Sequence, residues 1–178
     1  GVPTLSGAEM EIIPDRIEAG TLITAALITG GNLQIDGCVP GDIRAVTLLL
    51  ESAGARMTCS EKSIEVVSSG RLSSVNFHTA EFPGIATDMQ AQLMALFSLA
   101  EGTSIIRETI FENRFMHASE LWRMGANIEI HGNEAIVTGV PTLSGAKVMA
   151  TDLRASASLV IAALSAQGVS HVARVYHI

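Results

Sequence analysis

The 178-residue chain is 48% hydrophobic and 16% charged, which is typical of a globular protein with one large domain or two small ones. Its formal net charge of −7 argues against nucleic acid as a partner, because a phosphate backbone needs a basic face. No apolar run approaches the roughly 20 residues of a membrane span, and Gly1 begins no signal peptide, so we expect no membrane association.

The cysteines and histidines predict neither a disulfide scaffold nor a metal centre. Cys38 and Cys59 are the two cysteines, and neither lies in a CxxC motif. Two separated thiols fit a reducing cytoplasm better than a disulfide framework. The five histidines do not fall at metal-ligand spacing, so we expect no metal and no other cofactor.

The chain contains an internal repeat. The octapeptide Gly-Val-Pro-Thr-Leu-Ser-Gly-Ala occurs at Gly1–Ala8 and again at Gly139–Ala146, and a related segment begins at Gly70. The repeats divide the chain into units of about 1–69, 70–138 and 139–178. Because this period is longer than that of most solenoid repeats, it predicts one domain of pseudo-symmetric subdomains.

Unit one reads as helix, strand, helix and hairpin. A helix over Arg16–Thr29 ends at a glycine pair, as helices commonly do. A β-branched, alternating strand follows at Asn32–Asp36. A second helix over Ile43–Ala53 precedes a hairpin of the strands Arg56–Cys59 and Ile64–Val67.

Unit two repeats this order. The corresponding elements are a helix over Asp88–Ala100, a strand over Thr103–Arg107, a helix over Phe115–Met124 and the hairpin strands Asn127–Ile130 and Ala135–Thr138. Unit three reads as a helix over Asp152–Ala166 and a strand over Ser170–Val175, without the second helix and hairpin. We therefore expect an exposed, incomplete sheet edge in unit three.

The predicted fold class is α+β, with three βαβαββ units in circular order around a pseudo-threefold axis. The first helices are rich in Ala and Leu, and sequences such as Ala155-Ser156-Ala157-Ser158 allow close approach of helix backbones. We therefore expect the helices inside and the sheets outside.

Asp88 stands at the entry of an apolar helix and supports two interpretations. Its carboxylate can cap the helix by accepting hydrogen bonds from first-turn N–H groups. It can also serve as a general base, held at a positive helix end that favours its ionised form. The residues around Asp88 leave both open.

The repeat predicts that Arg16, Asp88 and Arg154 lie at equivalent first-turn positions and converge. Basic residues at a helix N-terminus oppose the helix dipole, so two arginines there make sense if an anionic ligand lies among the three helix ends. The alternative is that the arginines pair with neighbouring carboxylates, namely Asp15, Glu18 or Asp152.

Four long strings resemble the UDP-N-acetylglucosamine enolpyruvyl transferases, also called 1-carboxyvinyltransferases. They are Pro14–Thr21, Thr87–Gln92, Phe111–His117 and Ala150–Ser156. The resemblance covers essentially the whole chain. It implies a fold of two inside-out domains, each of three βαβαββ units, of which this chain represents the larger part of the domain without the catalytic cysteine loop.

The resemblance also implies a chemistry and a set of site residues. The enolpyruvyl group of phosphoenolpyruvate is transferred to the 3-hydroxyl of UDP-N-acetylglucosamine, the first committed step of peptidoglycan synthesis in the cytoplasm. Asp88 matches the aspartate that contacts that hydroxyl and takes its proton. Ile110 matches a main-chain contact to the UDP-sugar, Arg154 an arginine near the phosphate, and Arg114 a further substrate-binding arginine.

The same resemblance implies what the chain lacks. The cysteine acid belongs to the second domain, and neither Cys38 nor Cys59 lies in its motif, so we expect the chain to be inactive without that domain. Two other interpretations remain. One is the shikimate-pathway enolpyruvyl transferase, which the sequences at Asp15–Thr21 and Glu112–His117 argue against. The other is a binding module that keeps the fold without catalysis.

Overall fold

The structure, a computed structural model, describes residues 1–150 and 153–176. The helices in this part of the chain are α1 (Arg16–Thr29), α2 (Arg44–Ser52), α3 (Gln90–Phe97), α4 (Met116–Arg123) and α5 (Leu153–Ser165). The strands are β1 (Asn32–Asp36), β2 (Arg56–Cys59), β3 (Ser63–Val67), β4 (Phe77–His78), β5 (Thr103–Arg107), β6 (Asn127–His131), β7 (Glu134–Thr138), β8 (Lys147–Met149) and β9 (His171–Ala173). Short 3-10 turns at Pro40–Ile43 and Thr87–Met89 lead into α2 and α3.

The predicted bounds of α1, β1, β2 and β5 are confirmed to the residue. Helix α3 is shorter than predicted, because Thr87–Met89 forms a 3-10 turn and the helix ends at Phe97. The sequence pattern does not predict β4 and β8, because strands of two or three residues are too short to show an alternating pattern. Asp152, the predicted start of the third helix, lies outside the described residues.

Each unit contributes its own sheet. The strand order is β1-β3-β2 in unit one, β4-β5-β7-β6 in unit two and β8-β9 in unit three. The second strand of each hairpin, β3 or β7, lies between the first hairpin strand and the strand that follows the first helix, and it pairs antiparallel with both. In contrast, β4 and β8 pair parallel with β5 and β9. Among the described residues β9 pairs with β8 alone, in agreement with the incomplete edge expected for unit three.

Helix α3 lies at the centre of the molecule, and every one of its residues is buried. An α-helix that is apolar on all sides is stable only when other elements cover it all round. Here α1 and α5 pack against it, and the sheets present alternate apolar residues to the helices, among them Ile64, Val66 and Ile106. Helices inside and sheets outside are therefore confirmed.

Three further observations concern membrane spans, the cysteines and metal ligands. No helix in the described residues has both the length and the apolar character to cross a bilayer. Cys38 is buried, whereas Cys59, at the end of β2, is exposed. Within residues 1–150 and 153–176, no three His, Cys, Asp or Glu side chains are grouped so that they could hold a metal ion.

Candidate active site

The N-terminal ends of α1, α3 and α5 meet at a cavity of about 350 Å³. Its lining comes from all three helix starts: Asp15, Ile17, Glu18, Thr21, Leu22, Asp88, Gln92, Leu153 and Ala157. The close packing of three small-residue helices brings their first turns together, as the repeat predicts. The predicted convergence of the helix starts is thus present in the fold, but with a different set of side chains.

Arg16 does not line this cavity but a smaller one, together with Ala86 and Met89, so its convergence with Asp88 stays a prediction. Its guanidinium group lies over the ring of Phe82, 4.9 Å from the centroid. Among the described residues no carboxylate lies within ion-pair distance of Arg16, so the alternative pairing of Arg16 with Asp15 or Glu18 is wrong.

The register of the repeats explains why Arg16 does not line the cavity. The three repeats align by their aspartates in Pro14-Asp15-Arg16, Thr87-Asp88-Met89 and Thr151-Asp152-Leu153, so Asp15 is the counterpart of Asp88. Successive residues of a helix are rotated by about 100°, which directs Arg16 away from the face where Ile17 and Thr21 line the cavity.

Asp15 and Asp88 differ in what they do for their helices. Asp15 is the N-cap of α1, and its Oδ1 accepts hydrogen bonds from the N–H groups of Ile17 (2.7 Å) and Glu18 (3.3 Å). Asp88 lies inside the 3-10 turn that precedes α3, and the N-cap of α3 is Met89, without a side-chain cap hydrogen bond. The capping interpretation therefore fits Asp15 and does not describe Asp88.

Asp88 contacts Arg114 at the rim of the cavity. The Asp88 Oδ1 and Arg114 Nη1 atoms are 3.5 Å apart, and both side chains are partly exposed. The same Nη1 atom donates to the Thr87 hydroxyl at 3.4 Å, while the guanidinium group stacks 4.3 Å from the centroid of the Phe111 ring. An ion pair this long and this exposed contributes about 0–1 kcal/mol, so by itself it orients the two groups without locking them.

Thr87 also borders a second cavity, of about 210 Å³. Its lining residues come from the start of α3 and from the loop before α4: Thr87, Gln90, Ala91, Glu112, Asn113, Arg114, Met116 and His117. Asn113 has a φ of 55°, in the left-handed region that asparagine tolerates better than most residues. Arg114 follows directly and so faces both the turn and this second cavity.

Glu108 is the residue that sequence reasoning missed. It directly follows β5 and is 2% exposed. Its Oε1 accepts hydrogen bonds from Thr79 Oγ1 (2.8 Å), Ile110 N (2.8 Å) and Phe111 N (3.2 Å), and its Oε2 accepts one from Thr87 Oγ1 (2.8 Å). No sequence pattern connects these residues, because the two threonines are 29 and 21 positions away from Glu108.

The remaining predicted site residues are Ile110 and Arg154. The Ile110 N–H already donates to Glu108, so a main-chain contact from Ile110 to a ligand has to come from its carbonyl oxygen. Arg154 lies in the first turn of α5, and its side chain is outside the described part of the structure. The structure therefore brings together Asp88, Arg114 and the Ile110 loop.

Comparison with known proteins places the whole chain in one family. The family model described as EPSP synthase (3-phosphoshikimate 1-carboxyvinyltransferase) matches residues 1–178. The chain belongs to this family. Within it, curated relatives named UDP-N-acetylglucosamine 1-carboxyvinyltransferase match the entire chain, at 54% identity over 178 residues in Koribacter versatilis and 55% over 179 residues in Solibacter usitatus. These names confirm the resemblance found in the sequence motifs.

The chain spans less than half of the relatives that it matches, namely 41% of the Koribacter versatilis protein and 43% of the Solibacter usitatus protein. The crystal structure of the enolpyruvyl transferase NikO from Streptomyces tendae is similar with a TM-score of 0.82 and 32% identity, covering 94% of this chain and 40% of that one. EPSP synthase from Acinetobacter baumannii shares the fold, with a TM-score of 0.71, 17% identity and coverage of 92% and 39%. The predicted α+β fold of the enolpyruvyl transferases is thus confirmed.

Proposed function

We propose that the full-length protein containing this chain transfers the enolpyruvyl group of phosphoenolpyruvate to the 3-hydroxyl of UDP-N-acetylglucosamine. The observation that carries the proposal is the position of Asp88, whose carboxylate lines the cavity at the three helix N-termini and contacts Arg114. The names of the relatives that match the whole chain support the same substrate.

In this proposal Asp88 is the general base. The sugar 3-hydroxyl adds to C2 of phosphoenolpyruvate while Asp88 takes the hydroxyl proton and an acid of the second domain protonates C3. The tetrahedral intermediate then loses a proton from C3 and phosphate from C2, which restores the double bond. A positioned base typically contributes about 10²–10⁴-fold to the rate. The partly exposed carboxylate at the rim of a cavity is accessible to a hydroxyl group, as this role requires.

The other predicted site residues bind the substrates. Arg114 supplies a guanidinium group whose long contacts to Thr87 and Asp88 leave hydrogen-bonding capacity for an anionic group. The carbonyl oxygen of Ile110 contacts the UDP-sugar, since its N–H is engaged by Glu108. Arg154, in the first turn of α5, contacts the phosphate of phosphoenolpyruvate.

The proposal extends to the organisation of the protein. Residues 1–178 form one domain of three units, about 1–69, 70–138 and 139–178, and a second domain carries the cysteine acid and the opposite wall of the cleft. This chain alone is then inactive, because a substrate held between two walls loses most of its binding and orientation when one is absent. The corresponding cellular role is peptidoglycan synthesis in the cytoplasm. The reaction in this proposal uses no metal or cofactor.

The test is phosphate release from phosphoenolpyruvate and UDP-N-acetylglucosamine by the full-length protein, its Asp88→Asn variant and this chain alone. We expect turnover by the full-length protein, a loss of at least about 100-fold in the variant, and none from the chain. Asp36→Asn is the matched control, because Asp36 is an exposed residue of β1 outside the cavity lining. A full-length protein that binds no nucleotide sugar would instead favour the non-catalytic binding module.

A further inference from the structure

Glu108 is a buried carboxylate to which the predicted chemistry assigns no part. With 2% of its surface exposed, it has lost nearly all contact with water. Burying an ionised carboxylate is unfavourable unless donors replace the lost hydration. The four donors that surround it, two hydroxyls and two main-chain N–H groups, provide that replacement.

We propose that Glu108 is a positioning residue that fixes the Thr87–Asp88 turn and the Ile110–Phe111 loop relative to one another. Its Oε1 holds the loop through the N–H groups of Ile110 and Phe111, and its Oε2 holds the turn through the Thr87 hydroxyl. The effect on catalysis rests on the function proposed above, whereas the effect on local order does not.

The network reaches Asp88 and Arg114 by two routes. Thr87 directly precedes Asp88 and also accepts a hydrogen bond from Arg114 Nη1. Phe111, whose N–H is held by Glu108, carries the ring on which the Arg114 guanidinium group stacks. One carboxylate thus sets the relative position of the groups assigned to proton transfer, to the anion and to the sugar nucleotide.

The bond to Thr87 has a direction that a substitution can reverse. The Thr87 hydroxyl donates its one hydrogen to Glu108 Oε2, which leaves its lone pairs facing Arg114. In Glu108→Gln, the side-chain oxygen must take the place of Oε1 to serve the two main-chain N–H groups, so the amide nitrogen faces Thr87. That NH₂ group can only donate, and the Thr87 hydrogen turns away from Glu108 towards Arg114 and Asp88.

The kinetic experiment compares Glu108→Gln, Thr87→Ala and the double variant of the full-length protein in phosphate release. We expect Glu108→Gln to lower kcat by roughly 10- to 100-fold, with a smaller change in KM, because misplacing a reacting group costs rate more than binding. The double variant should be no worse than about the more impaired single variant, since both changes act on one hydrogen bond. Glu129→Gln is the matched control, as the Glu129 side chain is 69% exposed on β6. Wild-type kcat in Glu108→Gln, or fully multiplicative losses, would overturn the proposal.

A second measurement does not depend on activity. In Glu108→Ala, hydrogen–deuterium exchange should increase together in residues 86–90 and 109–114 and stay unchanged in the sheet of unit one. Faster exchange throughout the molecule would make Glu108 a general stability residue, and unchanged exchange in both segments would overturn the positioning role. If the wild-type protein releases no phosphate, the proposed function fails while the exchange result still decides the role of Glu108.

Discussion

Gly145→Ala should loosen unit three, whereas Gly7→Ala should have no effect, although both glycines occupy the same place in identical octapeptides. A Cβ atom built on Gly145 would lie 2.5 Å from the Val169 carbonyl oxygen and 2.7 Å from its main-chain nitrogen. A Cβ atom on Gly7 would meet nothing within 4 Å. The same substitution in the same local sequence therefore tests tertiary packing alone.

The size of the effect follows from the contacts around Gly145. Relieving the overlap requires the two backbones to separate by roughly 0.5–1 Å, and overpacking of this kind costs about 1–3 kcal/mol. The Gly145 N–H donates to the Gln167 carbonyl oxygen at 2.7 Å, and that separation would stretch this bond to the limit of a useful hydrogen bond. Since Val169 is 73% exposed and can shift, we expect about 2 kcal/mol of local destabilisation rather than the upper bound.

The assay is hydrogen–deuterium exchange of the full-length protein, followed in peptides covering residues 144–149 and 167–173. A local loss of about 2 kcal/mol corresponds to roughly 30-fold faster exchange. Gly7→Ala should match the wild-type protein in these peptides and in residues 1–13. Unchanged exchange in Gly145→Ala would refute the packing argument. Equal losses in the two variants would show that residues 1–13 pack against unit one as residues 139–149 pack in unit three.

Two further predictions concern the surface. Arg71 donates to the carbonyl oxygens of Leu99 (2.6 Å), Ala100 (3.1 Å) and Val140 (3.0 Å). The single ammonium group of a lysine cannot serve all three oxygens, so Arg71→Lys should speed hydrogen–deuterium exchange in residues 97–101 about 5- to 10-fold. An unchanged exchange rate would mean that water replaces these hydrogen bonds. Although Cys59 is exposed, the partial loss of water around its thiol, reinforced by the nearby Glu51 carboxylate, raises the pKa of that thiol. Because the thiolate is the nucleophile, iodoacetamide should alkylate Cys59 more slowly at pH 8 than a free cysteine, with a rate that continues to rise at more alkaline pH; a rate equal to that of free cysteine would contradict this.

Much of the architecture can be read from local sequence. The duplicated octapeptide establishes the repeat, and the glycines after each first helix mark where the strands begin. The bounds of α1 and β1 follow from these signals, because a few neighbouring residues are enough to specify a helix end or an alternating strand. The apolar composition of α3 is likewise enough to predict that it is buried, since no polar face is available to water.

The geometry of the candidate site depends on contacts that are distant in sequence. Glu108 looks like an ordinary charged residue at a strand end until the fold brings Thr79 and Thr87 to it. Arg16 appears equivalent to Asp88 until the helix rotation directs it to Phe82. Neither arrangement has a local signal, because each depends on which residues of separate segments meet.

The sequence by itself determined the family and the elements whose signals are local. Only the tertiary structure decided which of two identical octapeptides packs tightly, which aspartate caps its helix, and which carboxylate ties the turn at Asp88 to the loop at Ile110. The physical reason is that periodicity and turn chemistry act over a few neighbouring residues, whereas burial, steric overlap and hydrogen-bond satisfaction depend on segments brought together by the whole fold.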